Sequence, residues 1–265
     1  MPEEFKAAQE KPKTDWTQHP DATYLALAIL IGSWQDKSQC DLEAITKLLG
    51  SHLESVFSQR GTGWVDTTLE QVLAAQPQNG WSPPAANHAD SGTPVLTLSS
   101  VTGFRFNAEK RKYTSAFTNS QRCYWVKNGD FLMTRSNTPE QVGHVAIAEG
   151  IDEPTIYPDL IMRMNPDQSR ITTEFLYFQM RTQALRKEIK CRAQGANPTM
   201  KKISNGAVKT LPIAVTDIAT QKEIVNTLNM LSEETQHLSS IYERKLSALE
   251  ELKTSLLHQA FNGEL

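Results

Sequence analysis

The clearest pattern of apolar positions lies at the C-terminal end of the chain. Alternating steps of four and three residues from Ile224 reach mostly aliphatic side chains. The positions are Ile224, Leu228, Leu231, Thr235, Leu238, Tyr242, Lys245, Leu249, Leu252 and Leu256, of which Thr235 and Lys245 interrupt the series. This 3.5-residue spacing is typical of a coiled coil, and no Gly or Pro occurs between Thr220 and Asn262. We predict one helix here, about 60 Å long, that ends at Gly263 and pairs with a second helix.

Apolar faces at helical spacing also occur near the N-terminus. One face runs from Tyr24 to Trp34 and another from Leu42 to Phe57, and either Ser38 or Asp41 is a suitable N-cap for the second. We therefore predict two helices within residues 21–60. Residues 1–20 are predicted to be a charged, unstructured lead-in.

Between residues 64 and 215 the apolar runs are short and separated by Pro, Gly, Asn and Asp, which is the pattern of β-strands. The predicted strands are Val95–Leu98, Cys123–Val126, Phe131–Thr134, Val145–Ala148, Leu160–Met164 and Leu211–Val215. Helical spacing returns from Thr173 to Arg192 and from Ile203 to Thr210.

This order of elements predicts an α+β fold in three parts. Residues 1–63 form an N-terminal lead-in and a small helical element. Residues 64–215 form one domain with an irregular β-sheet and flanking helices. Residues 216–265 form the long coiled-coil helix.

Charge divides the chain into the same three parts. Lys and Arg number 6 against 9 Asp and Glu in residues 1–63, 17 against 13 in residues 64–215, and 4 against 8 in residues 216–265. Within the middle part, residues 163–215 hold 10 basic and 3 acidic residues. A basic region inside an acidic chain favours contact with nucleic acid, because neutralisation of phosphates dominates such affinity.

Catalytic and metal-binding motifs are not found in the sequence. Asn197-Pro198 is followed by Thr199-Met200, so it is not the N-P-P-[YF] motif of adenine methyltransferases, and no P-loop occurs. The 3 cysteines and 6 histidines lack metal-ligand spacing. The apolar run from Leu25 to Ile31 is too short to span a bilayer, and the acidic N-terminus does not resemble a signal peptide. We expect a cytoplasmic, non-catalytic protein without a metal.

Polar residues suited to DNA contact follow the strand Phe131–Thr134. They are Arg135, Ser136, Asn137 and Thr138. Arg can bond guanine and Asn can bond adenine through paired hydrogen bonds in the major groove. The alternative is that Ser136 and Asn137 only shape a turn and that Arg135 contacts a phosphate.

Two further groups are candidates for DNA contact. Asn197, Thr199, Lys201 and Lys202 lie on a loop after Gly195, where the lysines are expected to contact the DNA backbone. Arg105 and Lys112 flank a predicted hairpin that either lies over phosphates or forms a solvated turn. Arg163, inside an apolar strand, is expected to be structural.

Several short motifs, in order, resemble the specificity (S) subunits of type I restriction-modification systems. The motifs are Trp64-Val65 with Leu69-Glu70-Gln71-Val72, Asn79-Gly80-Trp81-Ser82-Pro83-Pro84, Gly129-Asp130 through Asn137 with Val142-Gly143, Asp159 to Met164, Gly195-Ala196-Asn197 to Ile203 with Leu211-Pro212-Ile213, Gln221-Lys222-Glu223-Ile224-Val225, and the terminal Ala260-Phe261-Asn262-Gly263-Glu264-Leu265. Each motif is weak alone, but together they cover residues 64–265.

The resemblance implies a DNA-recognition subunit whose partners are double-stranded DNA, adenine-methyltransferase subunits that bind S-adenosylmethionine, and a motor and nuclease subunit in a complete restriction complex. Family members usually carry two recognition domains and two long helices. This chain carries one of each, so it resembles a half-sized S subunit, and we expect a homodimer through the C-terminal helix. It departs from the family in lacking a proline-rich run before Gln221, and the resemblance leaves residues 1–63 unexplained.

Two other functions fit the same sequence. One is a stand-alone dimeric DNA-binding regulator, which would bind DNA without a methyltransferase. The other is an adaptor or inhibitor that mimics the pairing helix of an S subunit and has lost DNA binding. The basic segment 163–215 argues against the adaptor.

Overall fold

A computed structural model describes residues 20–197 and 199–262 of the chain. The expectations for the lead-in before Pro20 and for the helix stop at Gly263 lie outside these residues. The helices are α1 (Pro20–Ser58), α2 (Thr173–Met180), α3 (Gln183–Arg192), α4 (Asn205–Lys209) and α5 (Ile218–Asn262). The strands are β1 (Val65–Thr68), β2 (Leu73–Asn79), β3 (His88–Ala89), β4 (Thr93–Leu96), β5 (Arg111–Thr114), β6 (Phe131–Thr134), β7 (Ser136–Asn137), β8 (Val145–Ile147), β9 (Ile161–Pro166), β10 (Lys201–Lys202) and β11 (Pro212–Val215). This is the predicted α+β class.

The described residues form two compact units. Residues 50–231 make up the globular unit. The helical unit consists of α1 up to residue 49 and α5 from residue 232 onward.

The main sheet of the globular unit is antiparallel, with strand order β2-β9-β6-β8. All four residues of β6 are buried, as expected for a central strand that is covered on both faces. A second sheet has the order β3-β5-β4, and β1 pairs with β11. The predicted strand Phe131–Thr134 is confirmed, and the strands predicted near β4, β8, β9 and β11 are confirmed with small shifts at their ends.

The prediction of a strand at Cys123–Val126 is wrong. Its only ladder contact within the described chain is an isolated bridge between Trp125 and Ile156. The Arg163 guanidinium holds this segment, donating to the carbonyl oxygens of Trp125 at 3.0 Å and Cys123 at 2.9 Å. The same guanidinium pairs with the Asp130 carboxylate at 3.0 Å. Arg163 is therefore structural, as expected.

The stretch from Thr173 to Arg192 forms two helices rather than one. The break falls at Arg181 and Thr182, where the Thr182 hydroxyl caps α3 by accepting from the Leu185 amide. The Thr172 hydroxyl caps α2 in the same way through the Phe175 amide. A threonine at each N-cap satisfies an amide that lacks an intrahelical partner.

Residues 21–60 contain one continuous helix, so the prediction of two helices is wrong. Ser38, one predicted cap, is 1% exposed within α1, and Asp41, the other, is also helical. Both lie among apolar positions that form one uninterrupted face. The polar residues near the middle of this helix therefore do not mark a helix boundary.

Within the helical unit, α1 and α5 present matching seams at heptad spacing. On α1, buried or half-buried positions include Ala28, Ile31, Gln35, Ser38, Leu42, Ile45 and Leu49; on α5 they include Thr235, Ser239, Tyr242, Leu246, Leu249, Lys253 and Leu256. The Gln35 amide donates to the Glu250 carboxylate at 2.6 Å and accepts from the Lys253 ammonium at 3.4 Å. We infer an antiparallel pair, because with Gln35 beside Glu250 only that direction gives Thr235 of α5 a neighbour within the α1 seam and Leu49 of α1 a neighbour on α5. The coiled-coil spacing thus has a partner helix in the same chain.

Candidate nucleic-acid interface

The structure brings the two main groups of predicted DNA-contacting residues together. Strand β7 pairs with β10 in antiparallel register, with Ser136 opposite Lys202 and Asn137 opposite Lys201. The Ile203 amide extends the ladder by donating to the Arg135 carbonyl at 3.0 Å. The two segments, far apart in the sequence, form one surface, which we call the β7–β10 strip (residues 135–138, 194–197 and 199–204).

A cavity of about 420 Å³ opens beside this strip. It is lined by Arg135, Arg192, Gln194, Gly195, Lys202, Ile203, Ser204 and Ala207. Arg192 is partly neutralised by Glu188 at 3.0 Å. Sequence reasoning missed Arg192 and Gln194, because a basic residue in the last turn of a helix is ordinary in helices and gives no sign that it lines a cavity.

Ser136 and Asn137 are buried, at 0% and 8% exposed. The Asn137 amide nitrogen donates to the Thr102 hydroxyl at 3.2 Å, and its oxygen accepts from the Thr138 backbone amide at 2.9 Å. Both side chains therefore lie inside the domain, and both residues belong to strand β7 and not to a turn.

The side chains on the other half of the strip have distinct environments. Asn197 accepts from the Thr199 amide at 2.9 Å and from its hydroxyl at 2.8 Å, so these residues form a local turn. The Lys201 ammonium donates to the Gly195 carbonyl at 2.8 Å. Lys202 is exposed, and its ammonium has no hydrogen bond or ion pair among the described residues. Lys202 is therefore the lysine of the pair that is most available to a phosphate.

Arg105 and Lys112 are exposed and belong to other elements. Arg105 follows Phe104 in the loop after Thr102, whose hydroxyl accepts from the Asn137 amide at 3.2 Å. Lys112 lies in β5, beside a cavity of about 470 Å³ that also contains His88 and Tyr113. Neither forms an ion pair within the described residues.

The loop that carries Arg105 is held by aromatic and cationic contacts. Phe104 has a positive φ of 61°, and its ring stacks on His144 at 4.1 Å. Arg181 and Arg186 each lie 5.5 Å from the Phe104 ring centroid. The Gly103 amide donates to His144 Nδ1 at 2.9 Å, which requires a neutral imidazole. Burial and then the Arg186 charge lower the pKa of His144 to about 4.

The predicted pairing residues of α5 fall into three environments. Ile224, Leu228 and Leu231 belong to the globular unit, where Leu228 is 0% exposed and so unavailable to a partner chain. Tyr242, Leu249 and Leu256 lie in the seam with α1. Leu238 and Leu252 are exposed. Exposed apolar residues of the helical unit are Leu27, Ile29, Leu30, Trp34, Leu48, Leu238, Ile241 and Leu252, which we call the apolar stripe.

Three further properties bear on the chemistry. Among the residues that the structure describes, no group of three or more His, Cys, Asp or Glu side chains could hold a metal ion. No described helix is long and apolar enough to cross a membrane. Cys40, Cys123 and Cys191 are free thiols on the surface.

Comparison with known proteins identifies the class to which this fold belongs. The family model of the type I restriction modification DNA specificity domain matches residues 62–244. The chain therefore belongs to this family of DNA specificity proteins, whose members are in general not catalytic. No curated protein matches the sequence.

Solved structures of S subunits share the fold. A chain from a study of complex assembly and conformational transition of the type I R-M system has a TM-score of 0.71 at 18% identity, covering 92% of this chain and 58% of that one. The HsdS subunit from Thermoanaerobacter tengcongensis has a TM-score of 0.58 at 18% identity, covering 92% and 57%. The S subunit from M. genitalium has a TM-score of 0.51 at 15% identity, covering 93% and 61%. The chain thus spans about three fifths of the length of these structures.

Proposed function

We propose that this chain is a half-sized specificity subunit that reads one half of a bipartite DNA site. The observation that carries the proposal, besides family membership, is the β7–β10 strip. It joins two polar loops into one surface that offers Lys202 and borders a cavity containing Arg135 and Arg192. Cations held on short strands suit contacts that fix a protein's register on the phosphate backbone.

Catalysis would then belong to partner proteins. Adenine-methyltransferase subunits would supply S-adenosylmethionine and the methyl transfer, and a motor and nuclease subunit would complete a restriction complex. The purified chain should incorporate no label from radioactive S-adenosylmethionine into DNA, whereas the chain with a methyltransferase subunit from the same genome should. Methylation by the pure chain would contradict the proposal. Tight sequence-specific binding without any methyltransferase would favour a stand-alone regulator.

A complete bipartite site needs a second recognition domain. A second copy of this chain would supply it, and an isologous pair would read an inverted repeat with a fixed spacer. Because the seam of α5 is occupied by α1, the surface proposed for self-association is the apolar stripe. Mapping of methylated adenines in cells tests this, since two unrelated half-sites would instead point to a different half-subunit as the partner.

The two lysines of the strip should differ in their effect on DNA binding. Lys202→Ala should weaken binding to all sequences and lower the slope of log affinity against log salt by about one unit, because one phosphate contact is lost. Lys201→Ala should change that slope less, since Lys201 is bonded to the Gly195 carbonyl. Fluorescence anisotropy across a salt series measures both. An unchanged slope in Lys202→Ala would show that Lys202 does not contact a phosphate.

A further inference from the structure

Phe117 is the most exposed large hydrophobic side chain of the described chain, at 89%. It lies on the loop of residues 115–122 that follows strand β5. Single exposed apolar residues are common on protein surfaces, but an aromatic ring that is almost wholly in water has a large apolar area still to bury. The surroundings of this ring show what kind of partner would cover it.

The loop is fixed on both sides of Phe117. Before it, the Ser115 amide donates to the Asn87 carbonyl at 3.0 Å, and the Ala116 amide donates to the Thr114 hydroxyl at 3.1 Å. After it, Asn119 is held by the Tyr124 hydroxyl at 2.7 Å and the Trp125 indole N–H at 2.9 Å. A contact residue on a backbone that is already ordered loses less conformational entropy when it binds.

The segment around the loop is strongly basic. Residues 110–129 contain 5 Lys and Arg and no Asp or Glu. Arg111 is paired with Glu153 at 3.0 Å and Asp152 at 3.6 Å. The other four cations, Lys110, Lys112, Arg122 and Lys127, are exposed and form no ion pair within the described residues. Such a segment attracts a polyanion.

The loop itself presents no apolar patch. Ala116 and Thr118, on either side of Phe117, are half-buried, and the other exposed residues of the loop are polar or basic: Ser115, Asn119, Ser120, Gln121 and Arg122. Protein-docking surfaces combine several apolar side chains. A single exposed aromatic ring in a basic segment is instead typical of proteins that stack on bases or insert a side chain between base pairs.

We propose that Phe117 inserts at a base step of the DNA, with Lys112 and Arg122 on the flanking phosphates. The inference rests on the proposed function and adds a contact that the β7–β10 strip does not supply. Insertion would unstack the step, so base steps that unstack easily would be preferred at that position. Phe117 would thereby contribute to sequence preference without a hydrogen bond to a base.

The test uses the chain together with a methyltransferase subunit from the same genome. Duplexes carry the site found by methylation mapping, with 2-aminopurine placed in turn at each step. Wild-type protein should raise 2-aminopurine fluorescence at one step, and Phe117→Ala should abolish the rise and weaken binding about tenfold. The salt slope should not change, because no charge is removed. Phe117→Leu should retain part of both effects, since Leu can also act as a wedge.

Met230→Ala is the matched control, because Met230 is also highly exposed, at 69%, but lies on α5. Equal affinity and fluorescence for wild type and Phe117→Ala would overturn the wedge while leaving the proposed function intact. Weaker assembly with the methyltransferase, with DNA binding unchanged, would make Phe117 a protein contact and also overturn it. A wild-type complex that does not bind the mapped site would overturn both proposals.

Discussion

Gln221, in the first turn of α5, bonds to three backbone groups in two segments of the globular unit. It is 0% exposed. Its amide nitrogen donates to the carbonyls of Arg170 at 2.8 Å and Thr216 at 2.7 Å, and its oxygen accepts from the Thr172 amide at 2.9 Å. No other neutral side chain of this size offers two donors and an acceptor in one plane. The start of the helix is therefore tied to the start of α2.

Replacing Gln221 should be costly. Gln221→Leu keeps the volume but leaves three buried backbone groups without partners, so the free energy of unfolding should fall by about 3 kcal/mol or more. Urea unfolding measures the loss. Lys222→Ala, at the exposed neighbouring position, should change stability by less than about 0.5 kcal/mol. Similar stability of the two variants would show that these hydrogen bonds do not anchor the helix.

His144 gives the globular unit a predictable dependence on pH. Its pKa is lowered from 6.5 to about 4 by burial and by Arg186, so the unfolded chain takes up a proton more readily than the folded one. The contribution of neutral His144 to the free energy of unfolding is complete above pH 6.5 and is lost as the pH falls toward 4. Urea unfolding at pH 7, 6 and 5 should show this loss, and His144→Gln should reduce it. His88→Gln, on the surface, is the control. If unfolding free energy depends on pH equally in the two variants, the attribution to His144 is wrong.

Two glycines that carry the family resemblance have a structural role. A Cβ on Gly80 would lie 2.0 Å from the Tyr157 carbonyl oxygen, so only glycine fits between these chain segments. Gly143 has a φ of 75°, and a Cβ there would meet the Ile189 side chain at 2.5 Å. Motifs of this kind identify the fold and leave the recognised bases open.

At the scale of elements, the sequence predicted well wherever a local pattern decided the structure. The strand Phe131–Thr134 and the long helix follow from apolar spacing alone. The pairing of β7 with β10 could not be predicted, because two-residue strands have no periodicity and their partners are distant in the chain. The prediction of two N-terminal helices is wrong because polar seam residues such as Gln35 and Ser38 resemble a helix boundary. Their role becomes clear only when the partner helix α5 is known.

Gln35 is a polar position in the α1–α5 seam, and its side chain bonds to Glu250 and Lys253 across the pair. A polar residue in an apolar seam lowers stability and favours one alignment. Gln35→Leu should therefore raise the free energy of unfolding by about 1 kcal/mol and broaden the distribution of oligomers seen by light scattering. Gln39→Leu makes the same change at an exposed position one turn later. It should change neither the free energy of unfolding nor the distribution of oligomers. A loss of stability in Gln35→Leu alone would mean that the bond to Glu250 outweighs the apolar gain.

At the scale of the whole molecule, the decisive property is that the chain pairs its own long helix. Self-association through the seam would require α1 to be displaced. Self-association through the apolar stripe would leave the intrachain pair intact. These two routes differ in which leucines they need.

Two aspartate substitutions on α5 distinguish the routes. Leu238→Asp, at an exposed position, should split a dimer formed through the apolar stripe and change monomer stability little. Leu249→Asp, at a half-buried position, should lower the free energy of unfolding by at least about 1 kcal/mol, because it places a charge in the seam. Light scattering and urea unfolding of each variant provide the measurements. A wild-type chain that stays monomeric even with its methyltransferase would rule out self-pairing.

The three surface thiols can each be alkylated, so their reactivity can report which surfaces become covered. Cys40 lies on α1 of the helical unit, whereas Cys123 follows Arg122 at the end of the proposed wedge loop, and Cys191 lies on α3. One alkylating reagent, read by mass spectrometry, therefore reports on DNA contact and on association at once. Protection of Cys123 by DNA and of Cys40 by a second copy would appear as separate, independently titrated signals, without a label or a substitution in the chain.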